Sequence, residues 1–87
     1  MTSFNLTALT MSGIKFEGPV TKLVIRAADG DICILGKHTD YAAPLGCGTA
    51  KITTEENKEI RANVEGGFIS VQKDQTRIIA TKFDIIE

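Results

Sequence analysis

The chain has 87 residues, 43% hydrophobic and 24% charged, which suits one domain with a single core and is too apolar for a disordered segment. Ten Lys and Arg against eleven Asp and Glu leave a net charge of −1, with no basic stripe. Phosphate neutralisation carries nucleic-acid affinity, so the sequence points away from nucleic acid as a partner.

The chain opens on Met1-Thr2-Ser3-Phe4-Asn5-Leu6-Thr7, with no positive charge ahead of an apolar stretch, so no signal peptide is expected. Without export, the sequon Asn5-Leu6-Thr7 carries no meaning, and Cys33 and Cys47 are expected as free thiols. The longest apolar run, Ile32-Cys33-Ile34-Leu35, falls far short of the roughly 20 residues that span a bilayer, so no direct membrane insertion is expected.

Along the chain the dominant period is two. Phe4, Leu6 and Ala8 alternate first. From Val20 to Ala27, Leu23, Ile25 and Ala27 share one face, while Lys22 and Arg26 point the other way. Ala28-Asp29-Gly30-Asp31 supplies Asp and Gly where a tight turn needs positive φ. Ile32 and Ile34 follow, and Cys33 within that apolar run reads as a buried, inert thiol. Gly36 to Cys47 reads as the one long irregular loop, of the length at which loops tend to be functional.

The alternation resumes at Ala50/Ile52, breaks at Glu55-Glu56-Asn57-Lys58, and returns as Ile60, Ala62 and Val64 between Glu59, Arg61, Asn63 and Glu65. Gly66-Gly67 inside that pattern predicts a bulge or a close backbone approach. Ile69/Val71, a break at Lys73-Asp74-Gln75, and Ile78/Ala80 complete the chain. No helical stripe lasts beyond one turn. The expectation is an all-β fold: one domain over 1–87, a small two-sheet β-sandwich or flattened barrel of about 8–10 short strands.

The tests for chemistry come out negative. His38, the one histidine, lies in the spacing Cys33-x4-His38-x8-Cys47. A nucleophile pair needs a thiolate beside an orienting base, and zinc needs four ligands, usually with a close-spaced cysteine pair. Neither pattern is complete. Glu55, Glu56 and Glu59 fit a solvated hairpin tip better than a pair of glycosidase acids. No glycine fingerprint for nucleotides is present. The residues therefore suggest no catalytic site, no metal and no cofactor, and contact with another macromolecule as the domain's work.

The order of motifs is more specific. Phe16-Glu17-Gly18-Pro19-Val20 precedes Gly30-Asp31-Ile32-Cys33-Ile34-Leu35, then Gly36-Lys37-His38, Gly48, and Val64-Glu65-Gly66-Gly67-Phe68-Ile69-Ser70-Val71, then Thr76-Arg77-Ile78-Ile79-Ala80. This series resembles the N-terminal β-sandwich of the epsilon subunit of F-type ATP synthases, from about Phe4 to Phe83. The family's stations read F-x-G-x-V, G-[ED]-[LIF]-G-[IV], P-G-H-A-P, a later G and V-x-G-G-[FI]-x-x-V. The chain departs from them at Cys33, at Gly36-Lys37-His38-Thr39-Asp40 (which keeps only the histidine), at Glu65 and at Thr81. The family's C-terminal helical hairpin would begin beyond Ile85-Ile86-Glu87, so its inhibitory role and ATP binding cannot reside in these residues.

The resemblance implies a non-catalytic rotor subunit on the cytoplasmic face of the membrane, peripheral, linking the gamma subunit to the c-ring and helping couple ion translocation to ATP synthesis. It implies a c-ring contact at Ala28, Asp29, Gly30 and Asp31, with Asp31 at the acidic station. It also implies a gamma-subunit contact at His38, to which Tyr41 and Leu45 of the same loop are added as candidate anchors. Two other readings compete: a stand-alone β-sandwich interaction module, and an enzyme or metal site built on Cys33, His38 and Cys47.

Overall fold

The computed structural model describes residues 3–28, 30–35, 40–72 and 75–86. Seven strands follow in chain order: β1 (Phe4–Thr10), β2 (Gly13–Ala27), β3 (Gly30–Leu35), β4 (Tyr41–Pro44), β5 (Gly48–Thr54), β6 (Glu59–Gln72) and β7 (Gln75–Ile85). The all-β expectation holds. The strands are fewer and longer than expected because β2 and β6, of 15 and 14 residues, each run on through a phase change instead of stopping at it.

Neighbouring strands run β1-β7-β6-β5-β2-β3, with β4 also on β6 and β1 also on β2. The pairing β1–β2 closes the ladder into a ring, and β1 with β7 is its one parallel pair among the described residues. The ring is flattened into two layers because β2, β6 and β7 serve both. One layer holds β4, the second half of β6, the first half of β7, β1 and the first half of β2. The other holds β3, the second half of β2, β5, the first half of β6 and the end of β7.

The phase changes are visible in the burial. In β2, Val20 and Thr21 are buried in succession, after which Leu23, Ile25 and Ala27 take the inner face. A register shift between Val20 and Lys22 marks this bulge, and the Thr21 hydroxyl donates to the Thr53 carbonyl at 3.4 Å. In β6, Ile60, Ala62 and Val64 face inward before Gly66-Gly67, and Ile69 and Val71 after it. Gly66 and Gly67 have φ of 58° and 115°, so the expected irregularity is present.

One core joins the layers. Leu6, Val20, Leu23, Ile25, Ile52, Ile69, Ile78 and Phe83 are all essentially inaccessible, each worth about 1.5–3 kcal/mol of transfer free energy. The stretch expected as irregular contains β4, which pairs Tyr41 with Val71 and Pro44 with Phe68. Tyr-Ala-Ala-Pro has little strand propensity of its own, so it is the open edge of β6 that holds it extended. Cys33 is exposed, not buried. With period two, only Ile32 and Ile34 of the apolar run can face inward, and Cys33 and Leu35 are left outside.

Candidate functional site

The outer face of the first layer carries a row of apolar side chains perpendicular to its strands. Register places Ile14 opposite Leu9, Leu9 opposite Ile79, Ile79 opposite Phe68, and Phe68 opposite Pro44. Five adjacent strands thus contribute one residue each to a band about 19 Å long, at ~4.8 Å per strand step. Ile79 is 52% and Phe68 47% exposed, Ile14 and Pro44 are exposed, and Leu9 is half-buried. Met11, in the turn between β1 and β2, is fully exposed. It lines a shallow groove of about 280 Å³ with Thr10, Ser12, Gly67, Ile79, Ala80 and Thr81.

The neighbouring outward row, Ala42, Ser70, Arg77, Thr7 and Glu17, is polar apart from Ala42. The apolar band is therefore confined to one end of the face. A contiguous exposed apolar strip with a polar margin is the composition of a docking surface. Reading the sequence by strict alternation missed it. The signal lay in the doublets Ala8-Leu9, Phe68-Ile69 and Ile78-Ile79, where adjacent apolar residues must cover both faces of one strand.

The expected tight turn is a hairpin between β2 and β3, with Ala27 opposite Gly30 and Arg26 opposite Asp31. Ala28 and Asp31 are exposed, and Gly30 adopts φ of 135°. Asp29 lies outside the described residues, as does His38. Arg26 Nε donates to Asp31 Oδ1 at 2.7 Å. The Ala28 N–H donates to the Pro44 carbonyl at 3.0 Å, so the turn is bonded to the last member of the apolar row.

Of the two loop anchors, Tyr41 is exposed on β4 and available for contact. Leu45 is not: it is 6% exposed, bridges to Ala27, and donates its N–H to the Gly67 carbonyl at 2.9 Å. It belongs to the joint between the layers, so its side chain leaves the set of surface anchors. Cys33 on β3 and Cys47 ahead of β5 are both exposed free thiols. Among the described residues, no three His, Cys, Asp or Glu side chains are grouped to hold a metal ion. Among them also, no helix is long and apolar enough to cross a membrane.

The family model that matches is the β-sandwich domain of the ATP synthase delta/epsilon chain, over residues 3–84. The chain is similar to the ATP synthase epsilon chain of Alkalihalophilus pseudofirmus, 34% identical over 80 residues, which is 92% of this chain and 59% of the relative. It is 30% identical over 87 residues to that of Bacillus velezensis, 100% of this chain and 65% of the relative. Among solved structures, a chain in the Euglena gracilis mitochondrial ATP synthase (a cryo-EM structure of OSCP/F1/c-ring) shares the fold with a TM-score of 0.90 at 21% identity. That overlap covers 98% of this chain and 54% of the other. A chain in the central stalk/c-ring structure of the Tetrahymena thermophila mitochondrial ATP synthase gives 0.74 at 15% identity, covering 91% and 63%. The chain spans about three fifths of the length of the curated relatives it matches. With the family pattern running through nearly all of its residues, this chain belongs to the ATP synthase delta/epsilon β-sandwich family.

Proposed function

We propose that this domain works as part of a non-catalytic rotor subunit of an F-type ATP synthase, gripped by the gamma subunit and resting on the c-ring. The observation that carries the reading is the family match over residues 3–84. The apolar row Ile14–Leu9–Ile79–Phe68–Pro44 is the gamma-facing surface; Tyr41, opposite buried Val71 on the other face of β4, is exposed at the start of that strand and flanks the row. Its energy comes from desolvating large apolar groups, the usual content of an interface centre. The turn Ala28, Asp29, Gly30 and Asp31 is the c-ring contact, where a carboxylate fixes register more than it adds affinity. The assignment puts the domain at the cytoplasmic face of the membrane as a peripheral component.

The two contacts are joined by the backbone. Ala28 donates to Pro44, Gly46 donates to Arg26 at 3.1 Å, and Leu45 donates to Gly67. Force entering at the turn therefore reaches the apolar row through short hydrogen bonds. A closed ladder around one dry core deforms little under such a load. The work requires no bound cofactor.

The test uses an F-type ATP synthase stripped of its epsilon chain. The domain should be retained by the gamma and c-ring subassembly, and a variant with Ile79→Ser and Phe68→Ser should not. Retention of both forms alike, or of neither, would sink the assignment of this face.

A further inference from the structure

The acid of the β2–β3 turn does not stand alone. Arg26 and Asp31 are direct cross-strand partners, joined by the charged hydrogen bond from Nε to Oδ1 at 2.7 Å. Their side chains are 55% and 62% exposed, and pairs that open to water add little to stability. Its geometry needs another reason, and the surroundings are built for it. A β-carbon on Gly48 would stand 3.0 Å from Arg26 Cβ and 3.4 Å from Arg26 Cγ, and it would meet nothing else within 4 Å. Gly48 has no positive φ to explain it. A β-carbon on Gly46 would stand 3.3 Å from the Ala27 carbonyl oxygen and 3.4 Å from Arg26 Cγ. Both glycines thus leave room beside the Cβ and Cγ of Arg26, the start of the stem that carries the guanidinium to Asp31.

We infer that Arg26 is the positioning residue of this turn, and that Arg26 and Asp31 are recognised together as one neutral element. The pair presents carboxylate lone pairs that accept beside guanidinium N–H groups that donate. Its fitting partner is an uncharged polar loop offering amide donors and carbonyl acceptors, not a single cation. The inference rests on the turn being the c-ring contact. It separates from a lone-acid contact by salt: a bare carboxylate on a cation is screened, whereas a compensated pair is nearly indifferent.

The experiment measures binding of the domain to purified, detergent-solubilised c-ring between about 50 and about 500 mM salt, with thermal unfolding of each variant as control. Arg26→Gln and Asp31→Asn should each weaken binding about 5–10-fold, and the exchange R26D with D31R should recover it to within about 3-fold. Gly48→Ala, which keeps both charges, should reproduce the Arg26→Gln loss. Salt should change the parent affinity less than about 2-fold, and the unfolding midpoints of the charge variants should agree within about 2 °C. Binding that Arg26→Gln leaves intact or tightens, a Gly48→Ala variant that binds like the parent, or a parent affinity falling about 10-fold with salt overturns the pair while the c-ring contact stands. No binding by the parent at any salt overturns both.

Discussion

The Cα of Ala80 lies 2.6 Å from the point where a β-carbon on Gly67 would stand, and the Ile79 carbonyl carbon lies at 2.9 Å. Backbone meets backbone here because β6 leaves β5 for β4 at this level while keeping its pairing with β7. Gly67→Ala is therefore expected to cost about 3–5 kcal/mol, since neither contact can rotate away and φ of 115° strains any L side chain. Gly66→Ala, whose β-carbon meets Thr81 Oγ1 at 3.4 Å, should cost about 1–2 kcal/mol. Chemical denaturation that found the two variants equal would remove this account of the glycine pair.

Thr76 is inaccessible to solvent, and its hydroxyl has no hydrogen-bond partner among the described residues. Valine has nearly the same shape without the hydroxyl. Thr76→Val should therefore stabilise the domain by about 1 kcal/mol, seen as a higher denaturation midpoint. A loss of stability would mean that the hydroxyl is satisfied.

Cys33 and Cys47 are both exposed. Each Cys→Ser change should move stability by less than about 0.5 kcal/mol, the usual range for open surface sites. Both thiols should be modified by an aromatic disulfide reagent without denaturant. A thiol that reacts only after unfolding would put that cysteine in the core.

The apolar row should be separable from the fold. Ile79→Ser leaves the core intact and removes a side chain that is about half exposed, so stability should fall by no more than about 1.5 kcal/mol. Capture by the gamma subunit should fall about 10-fold or more, the loss of one central apolar anchor. Unchanged capture by the folded variant would move the docking surface elsewhere.

Much of the fold was legible in the residues themselves. Alternation in Leu23/Ile25/Ala27 and Ile60/Ala62/Val64 marked the inner faces correctly. Asp29-Gly30 marked the hairpin, and Gly66-Gly67 marked the irregularity in β6. The candidate site was less legible. The sequence puts Asp31 beside an Asp-Gly turn, but alternation shows Arg26 only as an outward charge, because the partner of a cross-strand side chain depends on register. Leu45 looked like a loop anchor because hydrophobicity alone does not tell a residue that leaves the core from one that closes it.

Composition and period two by themselves determined an all-β domain with one wet and one dry face per strand, since burial of alternate side chains is a local property of extended backbone. Only the tertiary structure decided that β1 pairs in parallel with β7 and that the doublets Phe68-Ile69 and Ile78-Ile79 align their outer members into one apolar row. Alignment across strands is fixed by hydrogen bonds between residues far apart in the chain, and no local pattern specifies which of them meet.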